Sequence, residues 1–312
     1  MQFFKVLNDD RMLKRLVLLM AIAVGLVFLS FGSYYYWDRY VRIGDQSPLE
    51  RDIAALEEAV REDPQDPERR VALAEYYLGK GLYAEALKQA NEVLKAFPDN
   101  DRAMLVKGIA YVRTGDYQNA IEPLQGFIDL RKDSPMANTD IALETAYYFL
   151  GESYMALEQP ENAIEPLEAA IKIERTDADA LYQLGVAYIE TGQPETALPY
   201  LERAVRLVPD FTEAYTAMID VYTAEGKSDY VAFARGMQAF SLGDYETAQV
   251  HLEHATQALP EFAPAFVGLA MTYEKQGNLD AAMQAAETAV QLAPEDFSAQ
   301  QTYGRLQAAS QP

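Results

Sequence analysis

The sequence predicts an all-α fold, a solenoid of helix-turn-helix units behind one apolar helix long enough to span a bilayer. Three observations predict it. The string Gly-x-Tyr-x-x-Ala recurs so that six windows of 34 residues align on it. Residues 16–37 run for 22 positions without a charge. Half of the residues are apolar although 26 Lys plus Arg face 48 Asp plus Glu, so the net charge of −22 belongs to a chain able to bury a core rather than to a disordered acidic segment.

The apolar run comes first. As a helix, 22 residues reach roughly 33 Å against the ~30 Å hydrocarbon core of a bilayer. Arg15 and Asp38 close the run, and Tyr34, Tyr35, Tyr36, Trp37 and Tyr40 crowd its second end, as an interfacial belt does. Residues 1–15 are then a cytoplasmic flank, 16–37 the transmembrane helix and 38–47 a short linker. A cleaved signal peptide is the competing reading, with Ser30 and Gly32 at the small-residue spacing of a cleavage site. Four basic residues precede the run (Lys5, Arg11, Lys14, Arg15) and three follow it closely (Arg39, Arg42, Arg51). That balance favours a cytoplasmic N-terminus and an extracytoplasmic C-terminal domain.

The windows are 67–100, 101–134, 144–177, 178–211, 229–262 and 263–296. Position 8 of each is small: Ala74, Gly108, Gly151, Gly185, Gly236 and Ala270. Position 20 is Ala86, Ala120, Ala163, Ala197, Ala248 and Ala282. Two antiparallel helices approach closely only where small residues face one another, so positions 8 and 20 are expected to form that contact. Position 11 carries Tyr77, Tyr111, Tyr154, Tyr188 and Tyr273, with Ala239 in one window, and is expected to lay a ring across the hairpin. Pro98, Pro209, Pro260 and Pro294 at position 32 stop the second helix, whereas Lys132 and Arg175 stand there in the other two windows. Gly81, Gly115, Gly192, Gly243 and Gly277 suit the left-handed turn between the helices.

Residues 48–66 read as a lone second helix and 297–312 as a lone first helix, both capping the stack. Two breaks interrupt the period. Between windows two and three lie nine extra residues, Pro135–Leu143, expected as an exposed loop before an extended helix. A single helix in 212–228 begins only 17 residues before the window at Asp229. It sets two first-type helices in succession, with a kink, a local repacking or a meeting of two sub-domains expected near 212–243.

These windows resemble tetratricopeptide repeats and cover 204 of 312 residues. The register matches, but position 4, often Trp in the family, is Arg70, Met104, Tyr147, Leu181, Ala232 and Phe266. The resemblance implies a right-handed superhelix whose first helices line a concave groove that receives protein segments. Groove positions then carry Leu78, Leu105, Ile109, Val112, Tyr148, Glu152, Met155, Tyr182, Val186 and Ile189, with Phe233, Met237 and Phe240 added only if the half-repeat leaves their side unchanged. Relatives that clamp a C-terminal carboxylate use Lys, Arg and Asn in such slots. Here Glu75, Ile109, Glu152 and Val186 stand at position 9, so apolar or basic segments are the expected ligands.

Other chemistries are poorly supported. Without Cys there is no disulfide framework, thiolate metal site, cysteine nucleophile or lipid-modified N-terminal cysteine. The acidity excludes a nucleic-acid footprint. His251 and His254, the only histidines, lie i, i+3 on a second-type helix, and reading them as surface residues is favoured over a metal site. No cofactor or catalytic residue is expected, because no phosphate loop, nucleophile elbow or His-Glu-x-x-His string occurs. The expected function is a membrane-anchored scaffold or assembly factor for envelope proteins. The alternatives are a cytoplasmic-facing adaptor of opposite topology and a metal-dependent enzyme using the two histidines.

Overall fold

The computed structural model describes residues 48–309 and, in the N-terminal segment, Met20, Val24, Val27, Ser30, Phe31, Ser33 and Tyr34. Apart from these residues, the expected span at 16–37, its aromatic belt, the flank at 1–15 and the linker at 38–47 lie outside the described residues. The described ones are helical and exposed, and among the described residues no helix is long and apolar enough to cross a membrane. The chain divides into two compact units, 1–77 and 78–312.

In the first unit, α1 (Pro48–Glu62) leads into α2 (Pro67–Gly79), with Glu50 in the first turn of α1 and Arg61 in its last, each complementing the helix dipole. The Tyr76 hydroxyl donates to Asp52 at 2.8 Å and the Tyr77 hydroxyl to Glu57 at 2.7 Å. Arg69 reaches the Ala59 carbonyl at 2.8 Å and Glu62 at 3.2 Å.

The second unit continues as α3 (Tyr83–Ala96), α4 (Asp101–Arg113), α5 (Tyr117–Arg131), α6 (Ile141–Ala156), α7 (Pro160–Ile173), α8 (Ala178–Glu190), α9 (Pro194–Leu207), α10 (Thr212–Ala224), α11 (Ser228–Ser241), α12 (Tyr245–Ala258), α13 (Ala263–Lys275), α14 (Leu279–Leu292) and α15 (Phe297–Ala309). Each of these helices packs on the next. In addition α4 touches α6, α6 touches α8, α8 touches α10, α11 touches α13 and α13 touches α15, whereas the intervening helices make no equivalent contact with one another. Helices of the first kind (A) therefore form the inner layer and those of the second kind (B) the outer.

The close approach within a pair differs from the expectation. A Cβ added at Gly108, Gly151, Gly185 or Gly236 would lie 2.5, 2.6, 2.7 and 2.6 Å from the side chains of Leu124, Leu167, Leu201 and Leu252. The notch at position 8 is thus filled by a leucine at position 24, one turn beyond the position-20 alanine. At Gly185 the alanine supplies only backbone, the Ala197 carbonyl oxygen lying 3.6 Å from the added Cβ. In the last window both members change together, to Ala270 and Ala286, each fully buried. Small volume is kept on one side when the other grows, as close packing requires.

At position 11 the Tyr188 ring lies across its own hairpin as expected, stacked on Tyr200 of α9 at 5.6 Å, and the hydroxyls add a second contact. Tyr188 and Tyr273, and Tyr222 at the matching place in the half-repeat, reach back to the preceding B helix: Tyr188 donates to Glu168 at 2.5 Å, Tyr222 to Glu202 at 3.4 Å and Tyr273 to Glu253 at 2.7 Å. The bond ties one repeat to the one before, in addition to the ring contact across the hairpin.

Two kinds of turn alternate. After an A helix a residue with positive φ permits a Schellman closure, in which Tyr111, Tyr154, Tyr188 and Tyr273 accept at their carbonyls from the backbone N–H groups of Asp116, Gln159, Gln193 and Asn278. Glu158 takes that conformation at φ 58° where other windows have glycine. After a B helix there is no positive φ; instead Phe97, Val208, Leu259 and Ala293 donate back to Val93, Ala204, Ala255 and Ala289.

This grammar explains the half-repeat. The α10–α11 turn holds Gly226 at φ 69°, with Lys227 donating to the Tyr222 carbonyl, and the α11–α12 turn holds Gly243 at φ 80°, with Asp244 donating to Ala239. Two A-to-B turns follow in succession. Helix α11 therefore serves as the B partner of α10 and as the A partner of α12. Its side chains at Ala232, Phe233, Ala234, Met237, Ala239 and Phe240 are all buried. Tyr222, Tyr230, Phe262, Phe233 and Tyr215 form a continuous chain of ring contacts at 5.3, 5.3, 5.0 and 6.3 Å through this seam.

The inserted loop is pinned rather than loose. Arg131 at the end of α5 pairs with Asp101 at 2.7 Å and with Asp140, the N-cap of α6, at 2.9 Å. A short 3-10 turn at Ala137–Thr139 fills the remaining length.

The notch predicts a coupled pair of substitutions. Gly151→Ala should cost about 1–3 kcal/mol by overpacking, and Leu167→Ala about 2–5 kcal/mol by leaving a cavity. The double variant recreates the Ala–Ala pairing of the last window, so its loss should be smaller than the sum by at least ~1 kcal/mol. Urea unfolding of the four chains checks this, and strict additivity would contradict the contact.

Candidate partner-binding groove

In the inner layer of α4, α6, α8 and α10, the first three helices have side-chain N-caps, whereas α10 begins after Phe211 without one. The Asn100 side chain accepts from the N–H of Ala103, Asp140 from Ala142 and Leu143, and Asp177 from Asp179 and Ala180. Fixed starts set the phase of each helix, and with it the row of side chains along its inner face. On α6 that row is Glu144, Tyr148, Glu152 at i, i+4, i+8, followed by Met155; on α8 it is Asp179, Tyr182, Val186 and Ile189.

Of the residues expected in the groove, Leu78, Leu105, Ile109, Tyr148, Glu152, Met155, Tyr182, Val186 and Ile189 are half-buried. Val112 is not a groove residue: it is 4% exposed and belongs to the core cluster that includes Leu124, Phe127 and Phe149. Phe233, Met237 and Phe240 do not extend the groove either, because the double duty of α11 buries them.

The charge of this face is one-sided. Helices α6, α8 and α10 carry Glu144, Glu152, Asp179, Glu190, Glu213 and Asp220 and neither Lys nor Arg. Arg113 on α4 is the nearby cation that acts on Tyr148 and Glu152, and its guanidinium lies 4.9 Å from the centre of the Phe149 ring. Phe149 in turn meets Tyr148 edge-on at 5.3 Å, and Tyr182 packs on Phe211 at 5.0 Å.

Burial first, and then carboxylate neighbours, perturb the ionisable groups. Glu144 is only 7% exposed; burial, its hydrogen bond with the Asp177 carboxylate and the charge of Asp177 push its carboxyl up to about 7. Burial raises Glu152, opposed by Arg113, and raises Asp179 with help from Asp177 and Glu213. The phenols of Tyr148 and Tyr182 are pushed up by burial and then by surrounding carboxylates. The inner face of α6 and α8 thus combines aromatic rings with carboxylates.

Glu144, Asp177, Asp179, Glu213 and Phe211 were not among the expected groove residues. Asp177 reads in sequence only as a cap, and nothing in a helical pattern tells a buried Glu144 from a solvated one. His251 and His254 line a separate pocket of about 340 Å³ with Arg235, Ser228 and Val250. No group of three or more potential ligands able to hold a metal ion occurs among the described residues.

The stacked hairpins and their inner groove define a helical-repeat protein of the tetratricopeptide type. The sequence matches the family model described as tetratricopeptide repeat protein 21 N-terminal ARM repeat over residues 74–311, and the chain belongs to that family. Among solved structures it is similar to MamA protein, at 26% identity, 61% of this chain, 94% of that one and a TM-score of 0.45. It is also similar to MamA 41-end from Desulfovibrio magneticus RS-1, at 24% identity, 56% and 92% coverage and a TM-score of 0.45. A third is YrrB, described as a TPR protein with an unusual peptide-binding site, at 18% identity, 80% and 98% coverage and a TM-score of 0.38. No curated protein matches the sequence.

The raised Glu144 carboxyl gives a pH prediction. The folded chain holds this proton to about 7 while the unfolded chain releases it near the ordinary 4.5. Stability therefore falls as pH rises from 4.5 to about 7 and is flat above, by a total of about 3 kcal/mol from this group. Glu144→Gln should remove that slope and raise stability at pH 8, as read from denaturation midpoints between pH 5 and 8; an unchanged slope would place the proton elsewhere.

Proposed function

We propose that this chain is a membrane-anchored interaction scaffold whose groove on α4, α6, α8 and α10 takes up a segment of a partner protein that combines apolar and basic side chains. The observation that carries the reading is the row of carboxylates on α6, α8 and α10, uninterrupted by any Lys or Arg and bordered by Tyr148 and Tyr182. A lysine or arginine entering there gains ionic hydrogen bonds and aromatic faces together. An apolar neighbour on the same segment covers Leu105, Ile109, Val186 and Ile189. An acidic segment meets repulsion from these carboxylates, with Arg113 as the one cation near them.

The anchor is the uncharged run at 16–37 with its aromatic end, and the small basic excess before it supports an extracytoplasmic repeat domain that gathers or chaperones envelope proteins. The near balance of flanking charges supports the opposite topology as the second reading. Alkaline phosphatase fused after residue 312 should be active in intact cells, and activity confined to a cytoplasm-only reporter would reverse the placement.

For the groove, a short fluorescent peptide of alternating lysine and leucine should bind the chain, and Tyr148→Ala with Tyr182→Ala should weaken it at least roughly tenfold, about 1.4 kcal/mol. Both tyrosines are only half-buried, so the variant should still melt cooperatively by circular dichroism. Equal binding by a folded double variant would refute the groove.

A further inference from the structure

Position 32 ends four of the B helices with proline, but window 144–177 has Arg175 there. Arg175 lines a cleft of about 440 Å³ on the B-helix side, together with Lys172, Arg203 and Tyr200, over Ile171 and Leu184. The site is organised. Arg203 donates to the Arg175 carbonyl at 3.0 Å, and the Tyr200 ring stacks on Tyr188 at 5.6 Å and 14°. Glu168, the one carboxylate in the lining, already accepts the Tyr188 hydroxyl at 2.5 Å. Lys172, Arg175 and Arg203 have no carboxylate partner among the described residues.

In a chain with 48 acidic against 26 basic side chains, three cations share this cleft with a single carboxylate. Complementing the dipole of α7 accounts for Lys172 in its last turn. It accounts neither for Arg175, beyond the helix end, nor for Arg203, on the next B helix.

We infer that this cleft is a second recognition site, which takes an acidic polypeptide segment: carboxylates on Lys172, Arg175 and Arg203, and an apolar side chain against Tyr200. The half-buried ring and apolar floor favour a polypeptide over a bare phosphate, which would use the cations alone. A nucleic-acid backbone would meet the long-range repulsion of a chain at −22. The inference does not depend on the groove, which takes the opposite charge on the other layer. Together the two sites would let one solenoid hold a basic and an acidic segment at once.

The test uses the purified full chain and a short fluorescent peptide of alternating glutamate and leucine. Binding should appear at low salt, weaken as salt is added, and fall at least roughly tenfold in Lys172→Glu with Arg175→Glu, where repulsion replaces ionic hydrogen bonds. Both residues are exposed, so the fold should survive; Lys172→Ala with Arg175→Ala, which only removes the cations, should show a smaller loss. Tyr148→Ala with Tyr182→Ala should leave this binding intact, which separates the two sites. No salt-dependent binding, equal binding by the charge-reversed chain, or displacement by inorganic phosphate as effective as by unlabelled peptide would overturn the proposal.

Discussion

The structure depends on how closely an A helix and its B helix approach. Without a side chain at Gly108, Gly151, Gly185 and Gly236, a leucine of the partner helix lies against the backbone of the first. Close approach maximises dispersion contact between pairs that bury little apolar surface alone. It also fixes the rotation of the A helix, since one face must carry the notch. The residues at the remaining inner positions, among them Tyr148 and Tyr182, are thereby aimed toward the groove. Geometry at the groove face thus follows from a missing methyl group one turn away on the same helix, since Tyr148 and Gly151, like Tyr182 and Gly185, stand at i, i+3.

The hydroxyl-to-carboxylate bonds from Tyr188, Tyr222 and Tyr273 add a second constraint, tying α8, α10 and α13 to the B helix before each. They also explain how the seam is tolerated. Tyr222 of α10 makes this bond to Glu202 on α9, so α10 enters as an ordinary A helix. The departure begins only after Gly226. From there α11 replaces a missing hairpin by being apolar around most of its circumference, which is why the aromatic side chains of the seam gather on it and its neighbours.

Much of the repeat was legible because it is a volume pattern, and volume patterns survive in sequence as small residues at fixed spacing. The partner of the notch was not. Positions 20 and 24 lie one turn apart on the same face of helix B, and an invariant alanine draws the eye from a leucine that varies. The change of Gly and Leu to Ala270 and Ala286 was the available signal. The seam could be located from its 17-residue spacing, and its turn could have been read as well: Gly226 follows Tyr222 by the interval that separates Gly192 from Tyr188. In the groove, Val112 was misplaced because the register cannot show that the A helix after the inserted loop contributes Phe149 to the same core cluster. Glu144 was missed because its burial depends on Asp177, which lies on a different hairpin.

A solenoid is a favourable host for such a costly pair. In a globule with one central core, a buried carboxylate held against another lowers the stability of the whole. Here each repeat leans on its immediate neighbours, so the strain of Glu144 against Asp177 falls mainly on the interface between α6 and α8. The pinning of α6 by Arg131 through Asp140, one turn before Glu144, places a strong ionic contact beside the weak one. The ionic reinforcement at the start of α6 thus sits one turn from the carboxylate pair that weakens the interface, so the cost of that pair stays local to α6 and α8.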